Sequence, residues 1–145
     1  MSTLHIPPNL DLHYVVDDYT DPWRTPGTIL LLHGNAESSA AWYGWAPQLA
    51  PWYRVVRPDM RGFGASTPMP RDFPWTLDLL LDDFCCLMDT LGVERFHLVG
   101  AKIGGTIERA FAARRPARVR TLTVVGTPTP YREGAAERAP ALMQA

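Results

Sequence analysis

Cysteine is scarce: the 145 residues hold two, Cys85 and Cys86, adjacent within a segment of helical pattern. Such a pair reads as small apolar filler in a reducing compartment, which excludes a disulfide framework and a metal pair. Long apolar runs are missing too. No stretch approaches the roughly 18 residues of a membrane span, and Met1–Leu10 is too polar for a secretion signal. The expected location is the cytoplasm. Charge of one sign is not in excess, the net value being −1, so there is no electrostatic case for nucleic acid or an anionic membrane as partner. Metal-ligand spacing, a phosphate-cradling loop, repeats and low-complexity tracts are all lacking, and neither a metal nor a cofactor is expected. What remains is a chain with 46% apolar residues, ordinary for a globular domain and long enough to bury a core.

What is present alternates between strand and helix patterns. Leu12–Val16 reads as an edge strand, and Asp17–Gly27, with Pro22 and Pro26, as a turn-rich connection. Thr28–Leu32 is an unbroken apolar run, the signature of a strand buried on both faces, and it ends in His33-Gly34-Asn35. Ser39–Ala50 carries Trp42, Trp45 and Leu49 at helical spacing. Tyr53–Arg57 is the next strand, followed by a loop rich in Gly and Pro from Pro58 to Pro74. Thr76 is placed to cap a helix, with Asp78 near its positive end and Gly92 stopping it after Leu91. Then come a strand at Phe96–Val99, a helix from Gly104 to Arg115 closed by Pro116, and a strand at Arg120–Val125. The tail from Arg132 to Ala145 is rich in Ala, Glu and Arg, as at the start of a helix.

Strands alternating with helices imply βαβ units and a mainly parallel α/β sheet. Ligands bind such sheets at the carboxyl ends of the strands. The residues at those ends are His33-Gly34-Asn35, Asp59-Met60-Arg61-Gly62, Lys102 and Gly126-Thr127. The arginines at 109, 114, 115, 118 and 120 fit a solvated helix face and the loop after it better than a phosphate site. Trp42, Trp45, Trp52 and Trp75 are expected to pack in the core rather than line a site.

The most informative segment is Val99-Gly100-Ala101-Lys102-Ile103-Gly104-Gly105, between an apolar strand and a helix. It has the form of the strand–turn–helix elbow G-x-S-x-G, with lysine where serine belongs. Gly100 and Gly104 supply the small residues that the tight turn needs. Two further motifs precede it in order, His33-Gly34-Asn35 after its strand and Asp59-Met60-Arg61-Gly62-Phe63-Gly64-Ala65-Ser66. Together the three resemble the α/β-hydrolase fold superfamily over residues 12–128.

The resemblance implies a sheet of the α/β-hydrolase type that is incomplete here. Residues 1–130 match the N-terminal half of the family's core, up to its sixth strand. Residues 131–145 fall where a cap region would begin, or form a processed tail. It also implies an oxyanion hole built from the backbone N–H groups of Asn35 and Ile103. His33, Gly34, Gly100, Gly104 and Asp59 are the residues that support these motifs, and Asp59, Arg61 and Ser66 are expected to tie down their loop. The family's acid and histidine lie beyond this stretch in the order Ser, Asp/Glu, His. None of His5, His13, His33 and His97 is placed to act as that base.

A lysine at the elbow admits several chemistries. The positive end of a helix and partial burial both disfavour its charge. The neutral amine can form a Schiff base with a carbonyl substrate, or act as a general base or acid. Cofactor-free lyase chemistry or hydrolysis of a small carbonyl or ester compound would use these parts. A serine-type acyl-enzyme is excluded, and an amide on lysine would not turn over. The alternatives are a non-catalytic ligand-binding protein of the same fold and an inactive fragment. A strand at Arg120–Val125 without a further neighbour leaves an open edge and apolar surface. A second polypeptide carrying the remaining strands, an acid and a histidine is therefore the expected partner, beside a small-molecule substrate.

Overall fold

Six strands form one sheet in the computed structural model, which describes residues 1–127. They are β1 (Ser2–Ile6), β2 (Leu10–Asp17), β3 (Thr28–Leu32), β4 (Arg54–Pro58), β5 (Phe96–Ala101) and β6 (Val119–Val125). The spatial order is β1-β2-β4-β3-β5-β6. The pairs β1–β2 and β2–β4 are antiparallel, whereas β4–β3, β3–β5 and β5–β6 are parallel. This is the mainly parallel α/β sheet expected of the sequence. The expected tail beyond residue 130 lies outside the described residues.

One expectation fails at the first edge. Leu12–Val16 belongs to β2, which is an inner strand, because β1 pairs along its outer side. The alternation of β1 explains this: Leu4 and Ile6 pack against the core while Thr3 and His5 face out.

The unbroken apolar run of β3 is accounted for by cover on both sides of the sheet. Leu30 and Leu32 pack with Val56, Leu98, Phe84, Leu87, Ile107 and Phe111 on one face. Ile29 and Leu31 pack with Val55, Val99, Trp42 and Ala50 on the other. Period-two alternation thus feeds two separate apolar layers.

The first layer is closed by helices α2 (Leu77–Thr90) and α3 (Ile103–Arg114), which keep α1 for the short helix Ala46–Leu49. Thr76 caps α2 as expected, its side-chain oxygen accepting from the Leu79 N–H at 3.2 Å. Three of the clustered arginines act as cross-links: Arg114 binds Asp78, Arg115 binds Asp82 and Arg118 binds Asp89, at 2.6–2.8 Å. They tie α3 and the turn after it to the acidic face of α2, so that part of the cluster has a structural partner. Glu108 on α3 is fully buried with neither carboxylate oxygen hydrogen-bonded among the described residues. Burial pushes its carboxyl up to about 8.

The second layer differs from the single helix expected over Ser39–Ala50. A 3₁₀ turn, Ser39–Trp42, and α1 replace it. Pro47 lies in the first turn of α1, where its missing N–H costs nothing, so the helix restarts there instead of running through. The tryptophan expectation fails with it. Trp42 is buried, but Trp45, Trp52 and Trp75 are exposed. On the far edge, β6 pairs only with β5 among the described residues, and Leu122 is its one large exposed apolar side chain. No helix of the described residues is long and apolar enough to cross a membrane.

Candidate active site at the elbow

Parallel β3, β4 and β5 all end at one rim, and each delivers one of the three motifs there. At the end of β5 the chain turns at Lys102, whose φ of 55° and ψ of −120° place a non-glycine residue in a region that L side chains rarely adopt. Such a conformation costs about 1–3 kcal/mol and persists only where the surroundings hold it. Three hydrogen bonds do so. The Lys102 N–H donates to the Val125 carbonyl at 3.1 Å. The Lys102 carbonyl accepts from the Gly105 N–H at 3.1 Å and from the Thr127 hydroxyl at 2.9 Å.

The glycines around the turn are required by contact. A Cβ on Gly100 would overlap the backbone of Gly104 and Gly105, and one on Gly104 would overlap the Leu32 and His33 carbonyls. A Cβ on Gly34 would meet the Glu37 carboxylate and the Lys102 stem, so the lysine crosses directly over Gly34.

Lys102 is the only lysine of the chain. Its ammonium donates to Oε1 of Glu37, while Oε2 of the same carboxylate accepts from the Gly34 N–H at 2.9 Å. The hydrogen bond from Lys102, then that from the Gly34 N–H, holds the Glu37 carboxyl below its ordinary value. The partial burial expected for Lys102 is not found: its side chain is 62% exposed, against 25% for Glu37. The lysine reaches out from the elbow into the open rim, where no cap covers it among the described residues.

Glu37 was not singled out by sequence reasoning. Its signal was faint, a lone acid two residues after Asn35 and 65 residues from its partner. Only the pairing of β3 with β5 brings the two loops together.

The two expected oxyanion donors lie on these same loops. Ile103 is the first residue of α3, so its N–H has no intrahelical acceptor. Asn35 follows Gly34 in the turn closed by the Glu37 N–H and the Gly34 carbonyl at 3.3 Å. Neither N–H donates to a protein acceptor among the described residues.

His33 is locked rather than catalytic. Its Nδ1–H donates to the Gly34 carbonyl at 2.7 Å, and its Nε2 accepts from the Met60 N–H at 2.9 Å. Burial lowers its affinity for a second proton, outweighing the Gly34 carbonyl, Asp59 and Glu37. Asp59 anchors the neighbouring loop. Its carboxylate accepts from the N–H groups of Ser39 at 2.6 Å and Ala65 at 2.8 Å, with His13 at 3.0 Å. Burial works to raise the Asp59 carboxyl, but these donors hold it below the usual range. Ser66 bonds the Asp59 carbonyl and the His13 N–H, and Arg61 makes a two-pronged bond to Asp83 on α2 at 2.9 and 2.7 Å. These three side chains thus have structural partners. His5 pairs with Asp11 on the outer strands, and His97 pairs with Thr121 near the amino end of β5. Among the described residues no group of three or more His, Cys, Asp or Glu is placed to hold a metal.

Comparison with known proteins agrees with this architecture. The chain is 38% identical over 102 residues to a 2-hydroxymuconate semialdehyde hydrolase of Pseudomonas sp. (strain CF600), covering 68% of this chain and 36% of the relative. It is 39% identical over 121 residues to epoxide hydrolase 3 of Xenopus tropicalis, covering 81% and 31%. A solved hydrolase from Pseudomonas aeruginosa PA01 superposes with a TM-score of 0.80 at 30% identity, covering 99% of this chain and 53% of that one. The chain therefore spans about a third of these curated relatives and half of the solved structure. The profile of the alpha/beta hydrolase fold matches residues 27–143, which include all three motifs of the rim. With its sheet order, its elbow and this match in agreement, the chain belongs to the α/β-hydrolase fold family.

Proposed function

We propose that this chain supplies the elbow-bearing half of a hydrolase-superfamily enzyme that acts on a small carbonyl or ester compound, with Lys102 in its site. One observation carries the reading: the elbow holds its side chain in a strained, open position although that side chain is lysine, and a carboxylate sits on the ammonium. A structural lysine needs neither the strain nor the small residues that make room for it.

Glu37 and Lys102 form an ion pair at the rim. The ammonium is a general acid for oxygen charge developing on the substrate, and the ionised Glu37 carboxylate holds it in place. The N–H groups of Asn35 and Ile103 are the oxyanion donors, each worth about 3 kcal/mol by analogy with measured oxyanion holes. Once the ammonium has given up its proton, the free amine adds to a carbonyl carbon. The resulting carbinolamine then loses water to give an imine. The name of the Pseudomonas relative, a semialdehyde hydrolase, supports a carbonyl compound as substrate class. An acid and a histidine are still needed at the rim, and the outer edge of β6, unpaired among the described residues, is where a second polypeptide carrying them would dock. The two unpaired cysteines accord with action in the cytoplasm.

Borohydride trapping with a small aldehyde separates the two roles of Lys102. The chain's only other amine is that of Met1, which serves as an internal standard. α-Amines as a class are less basic than lysine side chains, so they offer more free amine to an aldehyde at neutral pH. A reduced adduct forming on Lys102 ahead of Met1 identifies the nucleophile. An adduct on Met1 first leaves Lys102 as acid or base. A ligand-binding protein without turnover is the competing reading, favoured by the structural partners of all four histidines.

A further inference from the structure

The arginines divide into two groups. Arg57, Arg61, Arg114, Arg115 and Arg118 each hold a carboxylate within 2.9 Å. Arg54, Arg71, Arg95, Arg109 and Arg120 hold none among the described residues, and three of these, Arg54, Arg95 and Arg120, line one cavity of about 660 Å³ together with Arg24. Arg54 only donates to the Leu91 carbonyl at 3.2 Å, and Arg95 to the Val119 carbonyl at 3.5 Å. Arg120 has no hydrogen bond among the described residues, yet its charge is felt: after burial, it is the second cause that lowers the basicity of His97.

The acids in the lining do not cancel this charge. Asp18 is engaged by the Thr20 N–H and hydroxyl at 3.0 and 2.6 Å, Arg24 sits loosely on Asp21 at 3.6 Å, and Glu94 has no ion pair. Four cations face two carboxylates. The place is also distinct from the elbow. Arg54 opens β4, Arg95 directly precedes β5 and Arg120 lies at the start of β6. The cavity is therefore at the amino ends of the parallel strands, whereas Lys102 is at their carboxyl ends. A strand of this length separates the two rims by roughly 17–20 Å.

Guanidinium groups that line one open cavity without a carboxylate leave their donors to water, which an oxyanion can displace. Their planar forks match the oxygens of phosphate and carboxylate groups. The volume falls within the range of small-molecule sites, about 300–1,000 Å³. We propose that this cavity is a second binding site, for a small, multiply charged oxyanion, held by Arg54, Arg95 and Arg120 at the end of the sheet opposite Lys102. Phosphoryl and carboxylate ligands share the chemistry.

Titration calorimetry of the full chain with pyrophosphate and with citrate, at low and at moderate salt, tests it. The expected result is saturable one-site binding of at least one of them, weakened by added salt. The double variant Arg95→Gln, Arg120→Gln weakens it at least tenfold, and Lys102→Ala leaves it unchanged. Both arginines are exposed, so the variant retains the fold, which circular dichroism verifies. The stronger of the two probes assigns the ligand as phosphorylated or polycarboxylic. Absence of saturable binding to either, or binding that survives the arginine variant and is lost with Lys102→Ala, overturns the proposal.

Discussion

At the scale of single residues, the account turns on Lys102, Glu37 and Gly34. Glu37 is held as a carboxylate by the Lys102 ammonium and then by the Gly34 N–H. Its folded value is depressed, so its contribution to stability is present above the ordinary value of 4.5 and is lost as pH falls through the folded one. Replacing Lys102 by alanine removes the larger cause. The Glu37 carboxyl, followed by NMR titration, then moves upward toward 4.5, and an unmoved midpoint denies the pair in solution. Lys102 was legible in the sequence because the elbow is a local pattern: two glycines at fixed offsets between a strand and a helix. Glu37 was not, because its partner is 65 residues away and only the parallel pairing of β3 with β5 brings them together. The burial expected of Lys102 failed for a related reason, since a sequence pattern says where a side chain starts and not what covers it.

At the scale of elements, α3 combines two demands. Its first turn abuts the β3 backbone, so Gly104 can bear no side chain, and its buried face carries Glu108 beside Ile107 and Phe111. The folded chain keeps Glu108 protonated up to about 8, whereas the unfolded chain releases that proton near 4.5. Between those values the native state binds one more proton. This group's contribution then erodes stability by about 1.4 kcal/mol per pH unit as pH rises. Glu108→Gln is expected to flatten that slope and to be the more stable protein at pH 8, as read by urea denaturation across pH. A slope shared by both proteins counts against an unpartnered Glu108. The caps and breakers around α2 were readable, since Thr76 and Gly92 act on their immediate neighbours. The segment from Ser39 to Ala50 was misread because tryptophan spacing outweighed Pro47, and β1 was missed although Leu4 and Ile6 alternate with polar residues.

At the scale of the whole molecule, strand direction assigns the chemistry. The carboxyl ends of β3, β4 and β5 bring three motifs to one rim, and the amino ends carry the arginine cavity. The order of motifs was legible from residues 12–128, as was the mainly parallel sheet, because each βαβ unit carries its own alternation. What lies beyond β6 was not. If a second polypeptide completes the sheet there, native mass spectrometry of the protein purified from its own cells shows a second, different chain that denaturation releases. A single folded 145-residue species removes that partner from the account.

The central claim, that the elbow lysine carries chemistry, is tested most directly by turnover. A panel of small carbonyl and ester compounds is assayed with the protein as isolated from its cells, and with Lys102→Ala. The account predicts turnover of a member of the panel that falls by about 10²–10⁴-fold in the variant, with the thermal midpoint little changed. Equal turnover by the two proteins, or none by either, would contradict it and leave a binding protein on a hydrolase scaffold.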